Sequence, residues 1–251
     1  MNILILGATG ILGPQVVKNL ENKHHLRLTD ITDHYETDHE YRVLDISNPK
    51  EVMAAADSMD VIVNLAVNRT DRQHAFDANA LGCHNVMMAA VRHGIRKVVN
   101  TGPDWAIWGP SYATLDFDLT VDAPPQPGTR LYAITKSLGL EICRVFTENH
   151  DVFVISLLFP HIHTYPPYEG GVVSDDAALQ FRRSQGLTLD HPDTAAAIRR
   201  AVDIEPRHLP SRFEVFNVIA GVPHRRYSPE KTKRILGWEP ANRLEELWQK
   251  R

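Results

Sequence analysis

The chain has 251 residues, 43% hydrophobic and 23% charged, with 27 Lys plus Arg against 31 Asp plus Glu for a formal net charge of −4. That usage is ordinary for a globular protein, and a chain this long buries roughly 70–75% of its unfolded surface, which excludes disorder, collagen-like structure and a disulfide scaffold. Nucleic acid is not an expected partner, because no excess of positive charge exists to meet phosphates.

Residues 2–6 form a short, almost wholly apolar run, the mark of a strand buried on both faces. A glycine-bearing turn follows, and apolar residues then recur at helical spacing over 11–20. Residues 26–29 and 41–44 read as strands, 49–59 as a helix opened by Pro49, and 60–67 as another buried strand. A long helix is expected over 73–93, ended by Gly94, then a strand over 97–100. Residues 132–149 make the next helix and 152–158 the next strand. Strand and helix alternate as in an α/β protein with a doubly wound parallel sheet and helices on both faces. The pattern loosens after Phe159. Loops rich in proline or glycine cover 122–128 and 163–171, helices are expected at 175–183, 193–202 and 229–236, and a strand at 214–219. The reading is one domain over 1–251, with a small C-terminal cap mainly within 159–251. No 18-residue apolar run exists and the opening lacks a positive leader region, so no membrane is expected and the protein reads as cytoplasmic. Cys83 and Cys143 sit inside apolar helical patterns without metal-ligand spacing, as buried free thiols do.

Gly7, Gly10 and Gly13 fall between the first strand and the first helix. Three glycines in seven residues can be only a flexible loop. Their position directly after the first strand points instead to a dinucleotide fingerprint, where the backbone turns tightly and a pyrophosphate approaches the helix N-terminus. Asp30 follows 20 residues after Gly10, at the end of the second strand, where an acid grips the ribose hydroxyls. A carboxylate there repels a 2′-phosphate, which favours NAD over NADP; a turn or capping aspartate is the alternative.

Tyr132 and Lys136 stand four residues apart on one face of a helix. A tyrosine hydroxyl, with an ordinary pKa near 10, is a poor base at neutral pH, and a neighbouring ammonium favours its phenolate. Such a phenol can take the proton of a secondary alcohol as hydride leaves for the cofactor. Alone the spacing is weak, since an exposed i,i+4 pair explains it equally well; after a dinucleotide fingerprint it gains force.

On these residues the chain resembles the extended short-chain dehydrogenase/reductase superfamily, the NAD-dependent epimerase/dehydratase family, with its NAD(P)-binding Rossmann fold. Gly7-Ala-Thr9-Gly10-Ile11-Leu12-Gly13 matches that family's glycine pattern. Val43-Leu-Asp45-Ile46 resembles its adenine-contacting acid after the third strand, and Asn64-Leu65-Ala66 its signature at the fourth. Asn79-Ala-Leu-Gly82-Cys-His-Asn85 resembles the helix motif that supports the site, and Phe216-Asn217-Val218 and Leu236-Gly-Trp-Glu-Pro240 its C-terminal lobe. The resemblance covers residues 1–160 and, more loosely, 185–240, and the short cap is most similar to that of uronate dehydrogenases. It implies a cofactor site of Gly7, Thr9, Gly10, Ile11, Leu12, Gly13, Asp30, Asp45, Ile46, Leu65, Ala66, Tyr132, Lys136 and Phe159. It also implies a sugar-like substrate.

Two departures stand out. The family places a Ser or Thr after the fifth strand, sharing the substrate's hydrogen bond with the tyrosine, and counting along the strand puts Pro103 there. Thr101 joins Tyr132 and Lys136 as a catalytic candidate only if the turn is bent differently; Asp104 is another polar candidate. On the sixth strand, Leu157 and Leu158 stand where uronate dehydrogenases hold an arginine, leaving Arg69, Arg72, Arg182 or Arg183 to meet an anion unless they are plain surface charge.

Asp104, Trp105 and His161 are the expected substrate contacts, at the carboxyl ends of the fifth and sixth strands. Trp108 flanks the same mouth, with core packing its alternative. His161, His163, His191 and Asp193 can be drawn as a metal set, but histidine is abundant here and no metal is expected. Arg225 and Arg226 read as a solvated pair, with a phosphate contact as the alternative. The apolar faces of 73–93 and 132–149 suit a homodimer or packing within one subunit. The expected activity is NAD-dependent oxidoreduction or epimerisation; a catalytically weak NAD(H)-binding redox sensor is the alternative that Pro103 favours.

Overall fold

A computed structural model describes residues 1–112, 119–163, 189–219 and 227–241. The helix expected at 175–183, with Arg182 and Arg183, lies outside the described residues, as do Arg225, Arg226 and the side chain of His163.

Strands β1 (Asn2–Leu6), β2 (His25–Asp30), β3 (Glu40–Val43), β4 (Val61–Asn64), β5 (Lys97–Pro103) and β6 (Phe153–Phe159) are followed by a short parallel pair, β7 (Ile162–His163) and β8 (Leu189–Asp190), and by β9 (Phe213–Asn217). Seven of them build one parallel sheet in the order β3-β2-β1-β4-β5-β6-β9. The strand order reverses on either side of β1, and a crevice opens at such a reversal beyond the strands' carboxyl ends. The register Leu6↔Thr29 and Leu6↔Asn64 brings the turn after β1 against the ends of β2 and β4.

Each sheet face has its own core, which explains the unbroken apolar runs. Ile3, Ile5, Val63, Val99, Ile155 and Leu157 face helices α1 (Gly13–Leu20) and α6 (His191–Asp203). Leu4, Leu6, Ile62, Val98 and Val154 point the other way. They meet Val52 of α2 (Pro49–Ala55), Val86 and Met87 of α4 (Gly82–His93) and Cys143 of α5 (Leu131–Asn149). Alternate residues on one strand thus lie on opposite faces. Cys83 and Cys143 are both buried free thiols.

Local chemistry sets the helix ends. Asn48 accepts from Lys50 N to cap α2, Asp71 from His74 N to cap α3 (Arg72–Phe76), and Asp190 from Asp193 N to cap α6. Proline occupies the first turn of α1, where no intrahelical N–H is needed. The C-terminal motif docks through α6: Trp238 Nε1 donates to Asp193 O at 3.1 Å and Ala241 N to Asp193 Oδ1 at 2.8 Å, just past α7 (Glu230–Leu236). That bond gives the Asp193 carboxylate a structural task.

Several boundaries differ from expectation. The helix expected over 73–93 is broken into α3, a π-helical turn at Asp77–Leu81, and α4. The strand expected over 60–67 ends at Asn64, while β5 runs on to Pro103 because β6 pairs with it as far as Pro103↔Phe159. No helix among the described residues is long and apolar enough to cross a membrane.

Candidate active site

The glycine turn is built by close backbone approach. Gly7 takes a φ of +81°, and a Cβ there would stand 2.8 Å from Ala66 N, so the turn after β1 can lie on the end of β4 only without a side chain. At Gly13 a Cβ would fall 1.9 Å from Ala8 O, which lets α1 begin directly against the turn. Gly10 is the open position: a Cβ would come no nearer than 3.3 Å, to Gly7 O, and the residue lines both cavities described below. Asp30 ties the turn down, its Oδ2 accepting from Thr9 N at 2.9 Å and its Oδ1 from Ile31 N at 2.8 Å. Thr32, unnoticed in the sequence, meets the Thr9 hydroxyl at 3.1 Å.

Two cavities adjoin along this turn. One, of about 320 Å³, is lined by Asp30, Asp45, Ile46, Leu65 and Ala66 together with Gly7 and Gly10. The other, of about 640 Å³, is lined by Ile11, Leu12, Thr101, Asp104, Trp105, Tyr132, Lys136, Phe159 and His161. Gly7, Gly10, Leu65, Val67 and Asn68 border both, so the expected adenine and ribose contacts and the expected reacting groups lie at two ends of one crevice. Ile46 is held from below: a Cβ on Gly82 would touch its side chain at 2.9 Å, and Asn85 Nδ2 donates to its carbonyl at 3.0 Å. An adenine dinucleotide fits this arrangement, with glycine where a pyrophosphate must approach and a carboxylate beside the ribose.

At the larger end Lys136 is 3% exposed, and its Nζ donates to Ala66 O at 2.9 Å and Thr101 O at 3.2 Å. Burial pulls its pKa down. Tyr132 is shifted up, chiefly by burial and also by the charge of Asp104, against the pull of Arg69. Arg69 is the cation set against the phenol; its guanidinium lies 5.0 Å from the ring centroid and draws the Tyr132 pKa down. The ammonium of Lys136, expected in that role, donates to the two carbonyls. Arg69 could not be told in the sequence from surface charge.

Thr101 has a different task from the one expected. β5 runs straight through it, and its hydroxyl donates to Asn64 O at 2.8 Å, so its proton serves the backbone. Asp104 opens the turn after β5 and is 6% exposed, its Oδ1 accepting from Trp105 N at 3.0 Å. Burial pushes its pKa up to about 7. Trp105, 40% exposed, packs edge-on against His161 and under Arg130. Trp108 belongs to the core, stacked on Tyr227.

The π-helical turn braces the wall. Asn79 Nδ2 donates to Asn68 O at 2.7 Å and Thr135 Oγ1 at 3.0 Å, and its Oδ1 accepts from Asn68 N at 3.2 Å. A Cβ on Gly139 would stand 2.5 Å from Asn79 O, so α5, which carries Tyr132 and Lys136, can approach the turn only there.

A model of the NAD-dependent epimerase/dehydratase family matches residues 3–176. The chain belongs to that family. An NAD-dependent glucose-6-phosphate dehydrogenase from Haloferax volcanii is 21% identical over 268 residues, spanning 98% of this chain and 95% of the relative. A uronate dehydrogenase from Pseudomonas syringae pv. tomato is 24% identical over 161 residues, 62% of this chain and 57% of that one. The NAD-bound structure of a short-chain dehydrogenase/reductase superfamily protein from Agrobacterium tumefaciens superposes with a TM-score of 0.80 at 18% identity, covering 98% of this chain and 94% of that one. The epimerase/dehydratase assignment makes the chain a member of an NAD-dependent enzyme family, with NAD as its cofactor.

Proposed function

We propose that the protein exchanges hydride with a secondary alcohol or ketone of a sugar-like substrate, with Tyr132 as acid and base. The observation that carries this reading is that Tyr132 and Lys136 line a cavity bordered by the same glycine turn that borders the Asp30 cavity. The glycine turn and α1 would hold the pyrophosphate, Asp30 the adenosine ribose, and Asp45 and Ile46 the adenine. Bound NAD supplies the hydride acceptor or donor. Lys136, with two N–H groups on backbone carbonyls, has a third for the nicotinamide ribose. Arg69 stabilises the phenolate that forms when Tyr132 gives up its proton. Phe159 and Trp105 provide apolar walls, and Trp105, Asp104 and His161 meet the substrate. The two curated relatives act, by their names, on a sugar phosphate and a sugar acid, which supports a sugar-like substrate. Exposed Met88 on α4 and Leu138 and Val145 on α5 suit a homodimer across those helices.

Turnover is sought with NAD and a panel of sugars, sugar phosphates, sugar acids and nucleotide sugars, followed by NADH absorbance and, for an epimerase that returns its hydride, by product analysis. Replacing Tyr132 by Phe is expected to lower kcat by about 10²–10⁴-fold and leave NAD affinity in place. Unchanged turnover contradicts the assignment. A second reading, an NAD(H)-binding redox sensor, draws on Pro103 and on the engaged Thr101 hydroxyl. NAD binding with silence across the panel supports it.

A further inference from the structure

A carbonyl oxygen has two lone pairs to satisfy, and Tyr132 reaches one. On the β5 side of the larger cavity few groups are left for the other, while Asn68, Arg69, Thr70 and His161 line it elsewhere. Pro103 carries no donor, the Thr101 hydroxyl proton goes to Asn64 O, and Lys136 spends two N–H groups on Ala66 O and Thr101 O and its third on the nicotinamide ribose. Asp104 stands at the first position beyond β5, buried on the same wall as Tyr132, its Oδ1 fixed by Trp105 N–H. We propose that Asp104, in its protonated form, donates the second hydrogen bond to the oxygen whose carbon exchanges hydride, beside Tyr132. The proposal rests on the hydride-exchange reading above.

Among the described residues, the charged and titratable groups around Asp104 are Tyr132 and Lys136 from α5, Arg69 after β4 and His161 after β6, with Arg130 beyond Trp105. Ionised Tyr132 and ionised Asp104 repel, so loss of a proton by either one favours its retention by the other. Burial places the carboxyl's midpoint at about 7, so it can hold its proton through the neutral range below that. In ketone reduction, hydride adds to the carbonyl carbon and the Tyr132 hydroxyl delivers its proton to the oxygen. Asp104 keeps its own proton, and its hydrogen bond strengthens as negative charge builds on that oxygen.

Asp104 is first observed without substrate, in the NAD-saturated protein carrying aspartate labelled at the side-chain carboxyl carbon, its NMR signal assigned by loss in Asp104→Asn. The expected signal titrates near pH 7; a carboxylate already ionised throughout pH 5–7 overturns the proposal. With a substrate from the panel, run as ketone reduction, wild-type kcat is expected to fall as pH rises through about 7, because the Tyr132 midpoint is higher. Asp104→Asn, which keeps a donor, is expected to lose that limb and less rate than Asp104→Ala. The alanine variant is expected to lose about 10²–10³-fold in kcat, with partial rescue by Asp104→Ser. Melting temperature and NAD affinity establish that each variant is folded. Unchanged kcat and an unchanged limb in folded Asp104→Ala overturn the proposal. If Tyr132→Phe loses turnover in that case, Asp104 alone is misassigned; if Tyr132→Phe also keeps it, hydride exchange through this site fails with it.

Discussion

Tyr132 and Asp104 share one wall, and burial raises the proton affinity of both. The phenol therefore rests protonated at neutral pH, ready to donate, and must lose its proton before it can accept one from an alcohol. In Asp104→Asn, whose donor does not titrate, oxidation is expected to accelerate with rising pH, and adding Arg69→Gln, which removes the cation that opposes the upward shift, to move that rise to higher pH; an unmoved profile would take Arg69 out of the account. Asp104 has a separate signature in stability. Its pKa is raised from 3.8 unfolded to about 7 folded, so the folded state holds a proton the unfolded state has lost, and stability declines between those two values. The decline from this one group is about 4 kcal/mol in total, absent below the lower value and complete above the upper. Asp104→Asn lacks this term. Its melting temperature is expected to gain on the wild type's as pH rises from 4 to 7.5; a constant difference would mean that Asp104 titrates normally.

The elements around the crevice were legible wherever one strand's own residues decide the outcome. The apolar runs at 2–6 and 152–158 mark strands buried on both faces, and the turn between β1 and α1 carries its glycines in plain view. What tertiary pairing decides was not legible. β5 reaches Pro103 only because β6 supplies a partner, and that extension puts Thr101 inside the ladder and Asp104 at its mouth. The π-helical turn at Asp77–Leu81 leaves the apolar spacing of 73–93 nearly unchanged, so the pattern reads as one helix. Yet that turn is where Asn79 holds the Asn68 segment and α5 together. Asn79→Ala leaves Asn68 without those partners, and a loss of about 1–3 kcal/mol in denaturant stability is expected, with weakened turnover. A loss within error would reduce the turn to a helix irregularity. Gly13→Ala is more severe. Its Cβ would stand 1.9 Å from Ala8 O, so α1 must move away from the turn, and NAD binding is expected to be lost or the chain to melt at a lower temperature. Wild-type binding and melting in that variant would contradict the close approach.

At the scale of the molecule, one reversal of strand order organises everything. β1 lies between β2 and β4, and their carboxyl ends present Gly7, Asp30 and Leu65 to a common crevice. Strands β5 and β6 extend that crevice toward Asp104, Phe159 and His161, so the Asp30 cavity and the Tyr132 cavity are continuous through Gly7 and Gly10. The substrate's identity is the least legible part, because the sequence of the cap follows no motif and its charged candidates Arg182 and Arg183 lie outside the described residues. Cofactor choice is different, since the Asp30 carboxylate disfavours a 2′-phosphate in the smaller cavity and no arginine follows it in Ile31-Thr32-Asp33 to receive one. Titration calorimetry of the intact protein with NAD and, separately, NADP tests this most directly. The expected result is one saturable site for NAD with markedly weaker binding of NADP, whereas no heat and no rise in melting temperature with either coenzyme would contradict the account.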